Sequence, residues 1–146
     1  MDRGIHRLNP VDMLLVEDNP GDVLLVKEVF RESGIPHRMQ VAEDGEEAMA
    51  ILRAPGETLP QIILLDLNLP RKSGLEVLSE IKQDDRLKKI PVVVVTTSMS
   101  RRDILQSYER HANCYITKPV DFDQFMNVLR SIGDFWLTVA TLPERQ

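Results

Sequence analysis

Three stretches of the chain run apolar without alternation: "MLLV" at 13–16, "IILL" at 62–65 and "VVVV" at 92–95. Short continuous runs of β-branched and aliphatic residues read as strands buried on both faces, since a half-buried strand would alternate. Two weaker strands fit at "RMQVA" (38–42) and "CYIT" (114–117). Between them the apolar positions follow a helical period. Asn19 and Pro20 suit an N-cap and first helical position, Val23, Val26 and Phe30 then share a face, and Gly34 with Pro36 marks the stop. "DGEEAMAILRAPG" groups Ala48, Ile51 and Leu52 behind a capping Asp44 and breaks at Pro55 and Gly56. Ser73 and Glu76 have capping-box spacing ahead of Val77, Leu78 and Ile81. From Ser100, Ile104, Leu105, Tyr108 and Ala112 predict a fourth apolar face, and Asp121 opens a fifth with Phe122, Phe125, Met126 and Leu129.

Strand and helix alternating in this way imply a parallel sheet, because parallel neighbours need a crossover connection. The predicted fold is α/β: a doubly wound, five-stranded parallel sheet with helices on both faces. Ligands of such sheets bind beyond the carboxyl ends of the strands. There the sequence collects polar residues: Glu17 and Asp18 after the first strand, Asp66 after the third, Thr96 at the end of the fourth and Lys118 after the fifth. Each acidic residue alone is as consistent with capping the next helix. Together they are carboxylates that repel unless a cation neutralises them, and oxygen donors without a His or Cys cluster favour a hard ion such as Mg²⁺.

Composition narrows the partners. The 146 residues suit one domain, and the formal charge of −5 argues against a nucleic-acid backbone as partner, the basic pieces "RLKK" and "SRR" being too short for such a site. No apolar run approaches a membrane span, the start "MDRGIHRLNPVD" lacks a signal peptide's apolar stretch, and Cys114 is the one cysteine. The expectation is a cytoplasmic protein with no membrane partner. Cys114 reads as a small core residue, and His6, His37 and His111 show no spacing that joins the site.

The ordered motifs, the acidic pair Glu17/Asp18, "DLNLP" with Gly74 eight residues after Asp66, Thr96 closing "VVVVT", and "KP" at 118 and 119, resemble the receiver domains of two-component response regulators from about Met13 to about Ile132. The resemblance implies the flavodoxin-like strand order 2-1-3-4-5. It implies Asp66 as acceptor of a phosphoryl group from a sensor histidine kinase, with Mg²⁺ held by Glu17, Asp18, Asp66 and the backbone carbonyl of Asn68. Lys118 would pair with the phosphoryl oxygens and Thr96 would hydrogen-bond one of them. Thr96 and Tyr115 would form the switch, Asn68 and Ser98 would modulate phosphoryl lifetime, and Thr97, bulkier than the Ala or Gly of many receivers, would narrow access. A cis Lys118–Pro119 peptide is usual in the family.

"EDNPGDV", "LDLNLPRKSG", "NCYITKPVDFDQF" and "DFWLTV" look most like the small regulators paired with phytochrome-type photoreceptor kinases. This division follows: 1–12 an N-terminal extension, 13–133 the receiver domain, and 134–146 a C-terminal extension. With so little chain after the fifth helix, a stand-alone regulator is expected. It would act through a surface of helix four, strand five and helix five on a downstream protein or phosphotransfer partner, and would not be an enzyme beyond its own phosphorylation and dephosphorylation. Alternatives are an aspartyl-phosphate phosphohydrolase, against which Asn stands at position 68 where those enzymes have an acid, and an inactive receiver used for docking, against which the acid pocket is intact. The apolar tail residues Phe135, Trp136, Leu137, Val139 and Leu142 predict a homodimer contact centred on Phe135 and Trp136, or else a tail folded back on its own core.

Overall fold

The computed structural model describes residues 9–56 and 58–144. Five parallel strands form one sheet: β1 (Val11–Val16), β2 (His37–Ala42), β3 (Ile62–Leu65), β4 (Val92–Thr96) and β5 (Cys114–Thr117), in the order β2-β1-β3-β4-β5. The crossovers are α1 (Pro20–Glu32), α2 (Gly45–Arg53), α3 (Gly74–Gln83) and α4 (Arg101–Glu109), and α5 (Phe122–Asp134) follows β5.

The strand periodicity divides the core in two. Leu14, Val16, Ile63, Leu65, Val92 and Val94 face α2 and α3, whereas Met13, Leu15, Ile62, Leu64, Val93 and Val95 face α1 and α5. Apolar residues at successive positions are what a strand covered on both sides requires. Every helix begins at a residue expected to cap it: Asn19, Asp44, Ser73, Ser100 and Asp121 each accept a backbone N–H of the first turn, and Ser73 with Glu76 closes a full capping box. These caps fix each helix start at the carboxyl end of a strand, which is where the loops must hold functional side chains.

Two expectations are corrected. On α4, Leu105 and Tyr108 point to solvent, 60% and 48% exposed, and Ser107 is buried instead. A hydroxyl goes inward because it donates to the Asp103 carbonyl at 2.7 Å, satisfying its hydrogen-bonding need. On α5, Phe122 is likewise exposed, and Phe125, Leu129 and Ile132 make the buried face. Of the two readings of the C-terminal tail, the fold shows packing on its own core: α5 runs into a π-helical turn, Phe135–Val139, and Trp136, Leu137 and Leu142 pack against the core cluster that includes α1 and α5 residues. Gln61 Nε2 donates to the Pro143 carbonyl at 3.2 Å, tying this segment to the start of β3. Phe135 and Val139 remain exposed, and a groove of 380 Å³ with Cys114, Val128 and Trp136 in its walls runs between β5 and α5. At the other terminus β1 starts at Val11, inside the expected extension, and His6 lies outside the described residues.

Candidate functional site

The site forms where β1, β3, β4 and β5 end. Glu17 continues the sheet pairing past β1 by donating its N–H to the Ala42 carbonyl at 2.9 Å, and the Asp66 N–H donates to the Val16 carbonyl at 3.0 Å. Both carboxylates are thereby held by backbone, not by flexible loop. The chain then turns sharply: the Asn68 N–H donates to Asp66 Oδ1 at 3.2 Å, and the Gly74 N–H to the Leu67 carbonyl at 2.9 Å. Glycine is required at 74 because a Cβ there would overlap the Asp66 carbonyl oxygen and lie 2.5 Å from the Leu67 Cα. On the other side, the Lys118 N–H donates to the Thr96 carbonyl at 2.7 Å, placing the lysine opposite Asp66.

Lys118 Nζ meets three carboxylates: Glu17 Oε1 at 2.5 Å, Asp22 Oδ2 at 2.9 Å and Asp66 Oδ2 at 3.2 Å. Glu17, Asp66 and Lys118 are 4%, 6% and 7% exposed, so these charges survive burial only through one another. Burial pushes the Glu17 carboxyl up to about 7, with the Lys118 ammonium opposing that rise and the Asp66 charge adding to it. For Lys118, burial works against the charged form, but the hydrogen bonds it donates to Asp22 and Glu17 outweigh it and hold the ammonium above its ordinary range. One cation among several carboxylates leaves the pocket with negative charge in excess.

Carboxylate oxygens of Glu17, Asp18 and Asp66 lie within 4.8 Å of one another, Asp18 exposed and the other two buried. An all-oxygen set open to solvent on one side, with one member pushed toward protonation by burial, fits a hard divalent cation that keeps part of its water shell. Thr96 is fully buried beside this cluster. Its Oγ1 accepts the Ser98 N–H at 3.4 Å and lies 3.5 Å from Asn68 Nδ2. Tyr115 OH donates to the Ser98 carbonyl at 2.9 Å, and Ser98 Oγ to Asp103 Oδ2 at 2.6 Å.

The structure therefore gathers Glu17, Asp18, Asp66, Asn68, Thr96 and Lys118 at one edge and links Ser98 and Tyr115 to it, while Phe135 and Trp136 lie by the opposite end of β5. Thr97 is exposed. The Lys118–Pro119 peptide, left open by the sequence, is trans, since no cis bond occurs among the described residues. Sequence reading did not single out Asp22. The available signal was its place in the first turn of the helix that leaves Glu17 and Asp18, which returns its side chain to the same edge.

Comparison with known proteins gives the same family. The profile of the "Response regulator receiver domain" matches residues 13–130. Response regulator Rcp1 of Synechocystis sp. (strain ATCC 27184 / PCC 6803 / Kazusa) is 49% identical over 138 residues, covering 92% of this chain and 94% of Rcp1. Among solved structures, the Mn²⁺-bound form of response regulator Rcp1 superposes with a TM-score of 0.90 at 47% identity, covering 92% of this chain and all of that one, 100%. The phosphorylated cyanobacterial phytochrome response regulator RcpA does so with a TM-score of 0.89 at 48% identity, covering 93% and 100%.

Proposed function

As the chain belongs to the response regulator receiver domain family, we propose that it accepts a phosphoryl group on Asp66 from the phosphohistidine of a sensor kinase and that this kinase is of the phytochrome type. The observation that carries the reading is the 3.2 Å approach of Lys118 Nζ to Asp66 Oδ2 inside a buried acidic cluster. Phosphoryl transfer rests on positioning and charge neutralisation, with little covalent work for the protein to do. A carboxylate oxygen of Asp66 forms the new O–P bond as the donor's P–N bond breaks, and the imidazole leaves with the electron pair. Lys118 offers its ammonium to the charge on the transferring group, and the Thr96 hydroxyl stands ready for a phosphoryl oxygen. Mg²⁺ held by Glu17, Asp18, Asp66 and the Asn68 carbonyl would supply further neutralisation; the Mn²⁺-bound relative supports this assignment.

Supporting the kinase class are the similarity to RcpA, a cyanobacterial phytochrome response regulator, and the 49% identity to Rcp1. The chain acts as a phosphoacceptor, not as an enzyme with turnover: at position 68 it carries an amide side chain, which approaches Thr96, where a phosphohydrolase would need an acid. No helix among the described residues is long and apolar enough to cross a membrane. The output surface is α4, β5 and the start of α5, where Leu105, Tyr108 and Phe122 stand exposed. A second copy of the chain is its proposed companion through α5 and the π-helical turn, a contact that would fall to Phe135 and Val139 since Trp136 packs inward.

The test is phosphotransfer from a panel of purified, radiolabelled histidine kinases with Mg²⁺. Rapid transfer from a phytochrome-type kinase and slower transfer from the others is expected. Equal transfer from all would reject the kinase assignment, and none from any would reject the acceptor role.

A further inference from the structure

Asp22 stands in the first turn of α1, its N–H donated to the Asn19 side-chain oxygen at 3.0 Å, and places Oδ2 2.9 Å from Lys118 Nζ. An ammonium has three donors and no acceptor. Those of Lys118 are already matched by Glu17, Asp22 and Asp66. A phosphoryl group on Asp66 would bring ~1.5 to 2 units of negative charge and new acceptor oxygens to the same place. The bond to Asp66 is given up as that carboxylate becomes the acyl phosphate, and the ammonium can turn fully onto the new oxygens only if one of its two other partners, Glu17 or Asp22, yields.

Burial decides which. The side chains of Glu17 and Asp66 are 5% and 7% exposed, that of Asp22 27%. An unpaired carboxylate costs most where water cannot reach it, so Asp22 is the partner released at least cost. Its place in the first turn of a helix lowers that cost further, because the positive end of the helix dipole stabilises an acidic side chain left without its cation.

We infer that Asp22 is a positioning residue that parks the Lys118 ammonium in the unphosphorylated chain and surrenders it to the phosphoryl group, so that its carboxylate opposes entry into the phosphorylated state. The inference rests on the reading of Asp66 as phosphoacceptor. Asp22 does not touch the transferred group; it acts through Lys118.

The test is titration calorimetry of the full chain with beryllofluoride and Mg²⁺, comparing wild type, Asp22→Asn, Asp22→Ala, Lys118→Ala and the double variants. Both Asp22 substitutions should tighten binding by about tenfold, the scale of one charge-assisted hydrogen bond, and the gain should vanish in the Lys118→Ala background. An unchanged or weakened affinity overturns the inference, and so does an equal gain without Lys118, which would reduce Asp22 to simple repulsion. On the unmutated chain, the Asp22 carboxyl ¹³C resonance should move when beryllofluoride joins the Mg²⁺-loaded protein; a stationary signal overturns the inference without any substitution. Absence of binding by wild type would instead overturn the phosphoacceptor reading itself.

Discussion

Tyr115 OH donates to the carbonyl oxygen of Ser98 at 2.9 Å, and the N–H of the same Ser98 donates to Thr96 Oγ1 at 3.4 Å, so the buried threonine and the strand-five tyrosine are joined through one residue. Tyr108 adds a second tie, its hydroxyl accepting the Tyr115 N–H at 3.2 Å and attaching α4 to the free side of β5. On the proposed function, movement of Thr96 toward a phosphoryl oxygen would pull on the loop that carries α4. Phosphorylation can shift this arrangement only by as much as it binds the two states differently.

Tyr115→Phe removes the link while keeping the ring. Stability should fall by about 0.5–1.5 kcal/mol, the net worth of one hydrogen bond. Phosphoryl uptake on Asp66 should persist, while the change in amide exchange along α4 on adding beryllofluoride should shrink. A full response in the variant would show that the signal reaches α4 by another route.

Gly74→Ala tests the turn after β3. With no room for a Cβ against the Asp66 carbonyl and Leu67, the substitution should cost about 1–3 kcal/mol in urea unfolding, typical of overpacking, and should slow phosphorylation by displacing Asp66. Unchanged stability would mean that the turn relaxes freely and does not fix the acceptor.

The pH dependence follows from Glu17. Its folded carboxyl, pushed up to about 7 from an ordinary 4.5, holds a proton where the unfolded chain has lost it. The folded state thus binds more protons between about 4.5 and 7, and this contribution to the stability of the metal-free protein declines as pH rises through that window and levels off above it. Glu17→Gln should abolish the decline in urea melts with EDTA. Mg²⁺ must displace the same proton, so its affinity should rise with pH up to about 7, by at most about tenfold per unit, and flatten beyond. A pH-independent Mg²⁺ affinity between 5 and 7 would contradict the assignment of Glu17.

The C-terminal turn offers a contrast between neighbours. Trp136 is partly buried against the α1 and α5 core, and Phe135 packs edge-on against it with ring centroids 5.4 Å apart and half its own surface exposed. Trp136→Ala should lose about 1–3 kcal/mol of stability from apolar surface returned to water, and Phe135→Ala less. If the exposed part of this turn pairs two copies, sedimentation should show Phe135→Ala as a folded monomer beside a dimeric wild type. A monomeric wild type would end that proposal.

Much of this was written in the chain, and the failures have physical causes. Continuous apolar runs and small polar caps are local signals, so the strands, helix starts and acidic edge around Asp66 were legible before any coordinates. On α4, periodicity located a stripe of Ile104, Leu105 and Tyr108 but could not say whether core or solvent lay on its side; burying Ser107 instead depends on its bond to the Asp103 carbonyl. Asp22 was hidden because its meaning depends on a contact with Lys118 across 96 positions of sequence. The inward packing of Trp136 depends in the same way on a core assembled from residues far earlier in the chain.

The central claim is that Asp66 takes the phosphoryl group. Its most direct measurement is mass spectrometry of the chain after phosphorylation by an acyl-phosphate donor with Mg²⁺ and trapping with borohydride, which converts a phosphorylated aspartate to homoserine. Homoserine at position 66 alone, absent with EDTA and absent from Asp66→Asn, is the predicted result; conversion at another aspartate in wild type, or equal labelling of Asp66→Asn, would contradict it.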